Sequence, residues 1–398
     1  MRNPVAEEYR ILWGKAGIWM LVFVLLAWSG SNLVSSAAEI LPKAREYKIS
    51  LSAQEAFTVE EALKNEEKLA QAGITVYSSQ KVKLTGKNGV GLSVTQTSTD
   101  DRYAEVYGLS LLRGTYFVST GLESMDHFAV ISDKTALALF QNLDAVGQEI
   151  QINQTTYTVV GVYEPKRSLL CDLSSDGMDT VFTPISSQAS DMKERPVNLT
   201  EPLQAEDGTQ DGIRTAQEIL GAKLAGYQME DLTQAMRVME QTMRILWFVV
   251  GITGCLIFLR IALGVFIQMA KDLRRKKKKM ESAHFWTGKR VAWLLLGVGM
   301  IAAAGIIWRL VSFSPYIPSQ YLPKDNVFDL QHYWQQFLSL VHTRNASITG
   351  YDFYGNVAFY GILLQGILLP LSFFSFFACI LSIRKAAMRS IGKDARKK

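Results

Sequence analysis

The sequence predicts a membrane α-helical protein with four transmembrane helices and a large extracytoplasmic α+β domain inserted between helices 1 and 2. The first observation is that hydrophobic residues, 48% of the 398, concentrate in four runs: Trp13–Val34, Ile245–Met269, Val291–Phe313 and Val357–Ile383. A transmembrane helix needs about 20 mostly apolar residues to cross about 30 Å of hydrocarbon. The second is that roughly 200 residues separate the first two runs, enough for a folded domain with its own core. The third is an uneven distribution of charge.

The first apolar run has two interpretations. Arg2, Arg10 and Lys15 form a basic leader, and Ser35–Ala37 resembles the small-residue cleavage site of a secretory signal peptide. Against cleavage, semi-apolar chain continues to Val34, which makes the run long enough for a retained helix. Both interpretations place the residues that follow outside the cell.

Basic residues predict the orientation of the other runs, because short loops rich in Lys and Arg stay in the cytosol. The loop after the second run carries nine of them: Lys271, Arg274, Arg275, Lys276, Lys277, Lys278, Lys279, Lys289 and Arg290. The C-terminal tail adds Arg384, Lys385, Arg389, Lys393, Arg396, Lys397 and Lys398. We therefore expect cytosolic N- and C-termini, a basic cytosolic loop at 271–290 and an outer loop at 314–355.

The charge balance also restricts the partners of this protein. Glu39–Arg244 holds 19 basic and 29 acidic residues, whereas the whole chain has a net charge of +5. The outside is therefore acidic and the inside basic. We interpret the cytosolic lysines as topology signals that also attract anionic membrane lipid, rather than as a nucleic-acid site. The sequence thus predicts membrane lipid as a partner and no nucleic acid.

The first half of the outer domain alternates between one helical pattern and several strand patterns. The stretch Ala53–Ala72 has few helix-breaking residues, and its apolar residues recur every three or four positions, which predicts a helix. Short apolar runs separated by glycine-rich turns then predict strands at Ile74–Tyr77, Lys81–Leu84, Val90–Thr95 and Phe128–Ile131. Ser132 is a suitable N-cap for a helix over Asp133–Gln141.

The second half begins with a β-hairpin. Alternating apolar residues predict its arms at Gln148–Asn153 and Thr156–Tyr163. The polar stretch Asp191–Ile213 is expected to be a mobile insert or a loose strand. Helices are predicted over Thr215–Lys223 and Thr233–Ile245, and the second of these runs without a breaker into the second span.

The order of several short motifs resembles a known family. Gly108–Pro165 contains Leu111–Phe117, then Phe128–Ser132, Leu139-Phe140, Val146–Gln148, Ile150–Asn153 and Tyr157–Val162, followed later by Val181–Pro184. In this order the motifs resemble the periplasmic core domain of MacB-type ABC transporter permeases. The three later spans resemble the family's FtsX-like membrane domain.

The resemblance implies a division of the chain into three parts. Residues 1–35 would form the cytosolic N-terminus and first transmembrane helix, 36–240 the MacB-like core domain with its helical stalk, and 241–398 the FtsX-like membrane domain.

The resemblance also implies a permease subunit that works with a second permease subunit, as a homo- or heterodimer, and with a separate cytosolic ABC ATPase. Its task would be efflux or extraction of a peptide, lipoprotein or antibiotic. A non-transport sensor or assembly scaffold with the same fold remains the alternative.

The segment that would dock on the ATPase departs from the family pattern. In the family, a short acidic-basic helix and a small-residue turn follow the second span. Here the small-residue turn is missing, and the predicted docking element is Asp272–Lys279. Its coupling residues would be Asp272, Leu273, Arg274, Arg275 and Lys276, with Leu273 as an apolar anchor. This departure keeps the scaffold alternative open.

Enzyme chemistry has little support in the sequence. We find no phosphate-binding loop with Lys-Ser or Lys-Thr, so any ATP would be used by the partner ATPase. The four histidines, His127, His284, His332 and His342, lie in separate segments, and the acidic group Asp172, Asp176 and Asp179 is interpreted as a solvated turn. We therefore predict no catalytic residue, no cofactor and no metal in this chain.

One charge interrupts the second apolar run. Arg260 is either a functional charge inside the membrane or a side chain that reaches the cytosolic interface, and the second interpretation is preferred. In the outer loop, Leu330–Val341 is predicted to form a short helix at the membrane interface, where Trp and Tyr are enriched.

Overall fold

The structure, a computed structural model, describes residues 4–50, 55–87, 89–117, 127–187, 194–203, 211–276, 288–316, 329–344 and 352–396. The chain divides into two compact units. The helical unit comprises Met1–Ser31, Val238–Tyr316 and Gln365–Lys398. The sheet unit comprises Asn32–Arg237 and Ile317–Leu364.

Eleven α-helices lie in the described residues. Their bounds are α1 Pro4–Ile40, α2 Val59–Lys64, α3 Glu66–Gln71, α4 Tyr103–Val106, α5 Asp133–Phe140, α6 Leu169–Ser174, α7 Asp211–Leu220, α8 Leu232–Lys276, α9 Gly288–Val311, α10 Leu330–Arg344 and α11 Phe353–Arg396. Four segments are long and apolar enough to cross a membrane: Ile11–Ile40, Leu232–Lys271, Val291–Val311 and Phe353–Met388. The predicted fold class, with four membrane helices and a domain between the first two, is confirmed. Ser35–Ala37 lies inside α1.

The helical unit is held together by apolar side chains from α1, α8 and α11. Phe23 and Ala27 of α1 are buried against Leu246 of α8. Partly buried residues from α8 and α11 complete this cluster: Met243, Val250, Leu369, Phe373 and Phe376. Because lipid tails are as apolar as these side chains, their association depends on close packing and on polar links between helices.

One such polar link joins three helices. The buried side chain of Gln365 on α11 donates from Nε2 to the Gly30 carbonyl of α1, at 2.7 Å, and accepts at Oε1 from the Thr242 hydroxyl of α8, at 3.1 Å. Gly30 permits this approach, since a Cβ there would lie 2.9 Å from the Met243 sulfur. An amide without partners is costly in hydrocarbon, so this polar link specifies how the three helices pack.

The sheet unit is built on ten strands within the described residues. Their bounds are β1 Ala44–Ile49, β2 Thr75–Gly86, β3 Gly91–Thr99, β4 Ser110–Gly114, β5 Phe128–Ser132, β6 Glu149–Ile152, β7 Thr155–Glu164, β8 Asp179–Pro184, β9 Asn198–Pro202 and β10 Tyr227–Asp231. The strand order is β10-β1-β9-β2-β3-β8-β5-β7-β4, and β6 pairs with β2 and β7. The β3–β8 and β5–β7 pairs are parallel, and the other pairs are antiparallel.

Two apolar cores cover different parts of this sheet. One contains buried residues of β2, β5, β6, β7 and α5, including Leu84, Ile131 and Ile150. The other joins β1 and β9 to α2, α3 and α7 through residues such as Tyr47 and Leu199. The central strand β3 carries buried polar side chains whose hydrogen bonds run to neighbouring strands; for example, Gln96 donates to the Thr183 hydroxyl at 3.1 Å.

Several sequence predictions hold in detail. Ser132 caps α5, and its hydroxyl accepts from the Thr135 amide. The hairpin of β6 and β7 turns at Asn153 and Gln154, both with positive φ. A helix is present over the predicted stretch Leu330–Val341, as α10.

Other predictions were wrong in part. Within the described residues, the helix expected over Ala53–Ala72 begins at Val59, because Thr58 forms a capping box with Glu61, and it is interrupted at Asn65 between α2 and α3. Ala53 and Gln54 lie outside the described residues. The two short strands expected between Ile74 and Leu84 form one strand, β2. For Asp191–Ile213 the expectation was a mobile insert or a loose strand, and the strand alternative holds for Asn198–Pro202, which form the buried strand β9 paired with both β1 and β2.

We predict that the fragment Glu39–Glu240 folds alone, without metal or disulfide, because it contains the two apolar clusters described above. Its one cysteine, Cys171, is free and buried. Circular dichroism in the presence of a reductant and a chelator should show mixed α and β structure and a cooperative thermal transition. A spectrum of unfolded chain under those conditions would contradict the prediction.

A matched pair of variants tests whether the fragment has the core described above. Ile131→Ala empties a fully buried site and should lower the free energy of unfolding by about 2–5 kcal/mol. Leu137→Ala alters a side chain that is 49% exposed and should lower it far less. Urea unfolding gives both values.

Candidate functional site

The predicted coupling residues lie at the end of the longest helix. Asp272, Leu273, Arg274, Arg275 and Lys276 form the last turn of α8, and the Arg274 side chain is exposed. The rest of the predicted docking element, Lys277–Lys279, lies outside the described residues. A 45-residue helix is about 66 Å long at 1.5 Å per residue, so this turn is remote from the start of α8.

Arg260 lies on the outside of the same helix. Its side chain is exposed rather than packed among the helices of its unit. That the guanidinium reaches towards an interface, with its stem along apolar surface, stays a prediction.

The start of α8 is tied to the strand β1. Asp231 immediately precedes α8 and accepts from the Gln234 amide at 2.9 Å, which makes it an N-cap. The same carboxylate pairs with Arg45 of β1, whose Nε lies 3.1 Å from Asp231 Oδ2. A carboxylate at a helix N-terminus also interacts favourably with the helix dipole. One carboxylate therefore stabilises the first turn of α8 and joins it to the sheet.

The start of α11 is tied to the same strand in the same way. Asp352 precedes α11, and its Oδ1 accepts from the Gly355 amide at 3.0 Å. Its backbone carbonyl accepts from the Asn356 amide at 3.1 Å, as expected at an N-cap. The Lys48 ammonium of β1 lies 2.6 Å from Asp352 Oδ1. Two helices that contain candidate membrane spans thus begin at aspartates paired with basic residues of one strand.

Lys48 is surrounded by two further carboxylates. Its Nζ is 2.6 Å from Glu46 Oε2 and 2.9 Å from Glu230 Oε2. The three carboxylates of Glu46, Glu230 and Asp352 lie within 4.8 Å of one another, a spacing that would suit a metal ion. The ammonium group is already within ion-pair distance of all three, so we interpret the group as a buried ion-pair cluster.

Burial and charge act against each other on the pKa values in this cluster. Burial lowers the pKa of the Lys48 ammonium, but the carboxylates of Glu46, Asp352 and Glu230 outweigh it and raise that pKa well above its ordinary value. Burial raises the pKa of Glu46, and the nearby Lys48 charge only partly offsets the shift. Lys48 is therefore held as a cation. A buried pair of this kind contributes little net stability, but removing one partner typically costs about 3–5 kcal/mol.

An aromatic cluster adjoins these charges. The Tyr107 hydroxyl donates to Glu46 Oε1 and lies 2.7 Å from the Thr200 hydroxyl. The Tyr107 ring stacks on Tyr354, in the first turn of α11, with centroids 4.5 Å apart, and on Tyr103, with centroids 4.2 Å apart. The first turn of α11 is thus held by an ion pair and by ring packing.

We call this arrangement the β1 junction: Arg45, Glu46 and Lys48 of β1 together with Glu230, Asp231 and Asp352. Sequence reasoning missed it because β1 and β10 were not predicted as strands. A weaker signal was present, since Asp231 and Asp352 each stand directly before a helical pattern, which is typical of N-caps. Their partners lie 186 and 304 positions away and could not be identified from spacing.

A model of the family described as MacB-like periplasmic core domain matches residues 18–216, which is half of this chain. The macrolide export ATP-binding/permease protein MacB 1 of Yersinia pestis bv. Antiqua (strain Antiqua) is 25% identical over 204 residues, 49% of this chain and 30% of that protein. MacB 1 of Yersinia pseudotuberculosis serotype I (strain IP32953) gives the same values, 25% identity, 49% and 30%. The matched region thus spans about a third of the length of these curated relatives.

Two solved structures are similar to the sheet-containing part. The periplasmic region of MacB from Actinobacillus actinomycetemcomitans is 14% identical, with a TM-score of 0.41, covering 53% of this chain and 97% of that one. The extracellular domain of the noncanonic ABC-type transporter YknZ from Gram-positive bacteria is 16% identical, with a TM-score of 0.37, covering 47% and 98%. With TM-scores below 0.5, neither likeness supports a conclusion by itself.

A pH effect on stability is expected beside the β1 junction. Glu201 of β9 is 2% exposed, and its Oε2 accepts from the Tyr47 hydroxyl at 3.3 Å. Burial raises the pKa of Glu201 to about 7, from an ordinary value near 4.5. The protonated carboxyl therefore favours the folded state. This contribution is complete below about pH 4.5 and is lost as the pH rises through 7.

We predict that in Glu201→Gln the stability contribution of this side chain no longer falls as the pH rises through 7. Above pH 7 the variant should gain up to about 3 kcal/mol relative to wild type, because one pKa unit corresponds to about 1.4 kcal/mol. Thermal unfolding of the purified chain at pH 5 and pH 8 measures the difference. The control Glu60→Gln alters an exposed carboxylate on α2 and should follow wild type at both pH values. An equal pH response in Glu201→Gln and wild type would contradict the prediction.

Proposed function

The chain belongs to the MacB-like periplasmic core domain family, and from this membership we propose that it is the permease subunit of a MacB/FtsX-type ABC transporter in a bacterial plasma membrane. In this proposal a separate cytosolic ATPase binds the subunit and supplies the energy. Two permease subunits act together, and movement of their membrane helices is passed to the outer domains. This chain would contribute mechanical transmission rather than chemistry.

The observation that carries the proposal is the continuity of α8. It begins at Leu232, directly after β10 of the sheet, includes a candidate membrane span, and ends at Lys276 within the basic segment that the proposal places in the cytosol. A single helix can pass a displacement at one end to the other, because its backbone hydrogen bonds make it a stiff element. The proposal needs such a link between a cytosolic motor and an outer domain.

The transported substance is proposed only as a class. The curated relatives are named for macrolide export, and that name describes those proteins. For this chain we propose efflux or extraction of a peptide, lipoprotein or antibiotic, with the outer domain acting on the cargo after it has left the cytosol or the membrane. The apolar character of the four spans supports work on cargo outside the membrane over conduction through a polar pore.

A sensor or assembly scaffold is the second candidate function. It is favoured by the segment after α8, where Lys276 is followed by further lysines and the small-residue turn of the family is missing. Such a protein would use the same helices to hold or report on an outer partner without ATP. Co-purification of a cytosolic ATPase with the full chain separates the two candidates.

The proposed topology predicts which positions an impermeant thiol reagent reaches on whole cells. Single cysteines at Ser190 and Asp325 should be labelled, because the outer domain and the outer loop lie outside. A cysteine at Ser282 should be labelled only after the cells are opened. Labelling of Ser282 on intact cells would contradict the four-span topology.

The coupling segment predicts a position-specific effect on ATPase association. Leu273→Asp should abolish association while membrane insertion is kept, because truncating a docked apolar anchor commonly costs more than about 2 kcal/mol. Replacing Lys278 and Lys279 by Gln should matter little, since attraction to lipid headgroups is worth about 1 kcal/mol per basic residue and does not depend on position. Pull-down of the ATPase by each purified variant measures this. Wild-type association in Leu273→Asp would favour the scaffold function.

A further inference from the structure

Three helices meet at one short strand. Three residues separate the end of α1 at Ile40 from the start of β1 at Ala44. Arg45 of β1 pairs with the N-cap of α8, and Lys48 pairs with the N-cap of α11. All of the paired residues belong to the sheet unit. The strand is therefore connected to α1 by the chain itself and to α8 and α11 by ion pairs.

The two ion pairs lie on different faces of the strand. Successive side chains of a strand point to opposite faces, so Arg45 shares a face with Tyr47, and Lys48 shares a face with Glu46. Arg45 faces Asp231, while Lys48 faces Asp352, Glu230 and Glu46. Arg45 pairs with the N-cap of α8 and Lys48 with the N-cap of α11, so the two cap contacts can be disturbed separately.

We propose that the β1 junction is the element that joins the outer ends of α8 and α11 to the outer domain, and that Arg45 and Lys48 are its positioning residues. Each holds the N-cap of one helix, so the start of that helix and β1 move together. Since β1 is hydrogen-bonded on both sides, to β9 and β10, a displacement of either helix start reaches the sheet. The mechanical role rests on the proposed permease function.

Removing one cation should loosen one helix start and leave the other in place. Lys48→Met keeps the length of the side chain but leaves the partly buried Asp352 carboxylate without the Lys48 cation, so the carboxylate will be drawn towards water and will cap α11 less well. Arg45→Met should do the same to Asp231 and α8. A variant that merely damaged the fold would affect both helix starts together.

The experiment is amide hydrogen exchange on the full chain in lipid nanodiscs, read by mass spectrometry. In Lys48→Met the amides of Gly355 and Asn356 should exchange at least tenfold faster, while the Gln234 amide at the start of α8 is unchanged. In Arg45→Met the Gln234 amide should exchange at least tenfold faster, while the amides of Gly355 and Asn356 are unchanged. Peptides from β5, in the other core of the sheet, provide the measure of global unfolding and should stay as protected as in wild type.

Two further variants serve as controls. Lys48→Arg keeps a cation among the three carboxylates and should retain wild-type exchange at Gly355. Lys64→Met removes an exposed lysine whose partner, Glu60, is also exposed, and should change nothing at either helix start. Unchanged exchange at Gly355 in Lys48→Met, or equal acceleration at α8, α11 and β5, would overturn the proposal.

The exchange measurement involves no ATPase, so it is independent of the permease function. Failure of the full chain to associate with any ATPase would count against the proposed function and leave the exchange result standing. Conversely, an ATPase-binding chain in which Lys48→Met leaves α11 protected would keep the proposed function and discard the β1 junction as its outer link.

Discussion

The rest of the sheet unit depends on the pairing of two partly buried aspartate helix caps, Asp231 and Asp352, with the cations of β1. An aspartate N-cap stabilises the first turn of its helix, but a carboxylate removed from water needs a positive partner. Asp231 and Asp352 find that partner in Arg45 and Lys48. The requirement explains why a strand as polar as Ala44–Ile49 lies between two others instead of at an exposed edge.

The same need for partners recurs across the sheet. Gln96 and Ser98 of β3 are buried and bond the Thr183 hydroxyl of β8 at 3.1 Å each. Arg102 pairs with the buried Asp100 at 2.6 Å. Such hydrogen bonds between strands fix strand register more narrowly than apolar packing alone, because any slip leaves several buried groups without bonds. The two apolar cores are therefore joined by a polar middle with a defined register.

The sequence predicted those parts of the fold that are determined by residues close together in the chain. The four spans follow from hydrocarbon thickness, which demands long apolar runs, and the hairpin at Asn153 follows from alternation on both arms. The strands β1 and β10 were not predicted, because the ion pairs that join their side chains to each other and to Asp352 span 182 or more positions of the chain. The strand β9 was anticipated only as one alternative, a loose strand within Asp191–Ile213. Local propensity also failed at Asn65, where a helical composition is interrupted and Leu69 is buried in the next short helix. Of the candidate site, the coupling turn could be proposed from charge, whereas the β1 junction required tertiary structure.

The Gln365 link in the helical unit has a consequence for how the protein is made. Gln365 and its acceptor Gly30 are 335 residues apart, so α1 leaves the ribosome long before α11 is synthesised. Thr242 of α8 lies 123 residues before Gln365, so it too is synthesised before its Gln365 partner. During that interval α1 and α8 lie in the lipid without their shared polar partner, and a Gln365 that arrived alone would carry an unsatisfied amide into hydrocarbon. The polar link between these three helices can therefore form only after α11 has been synthesised, because Gln365 of α11 joins α1 to α8.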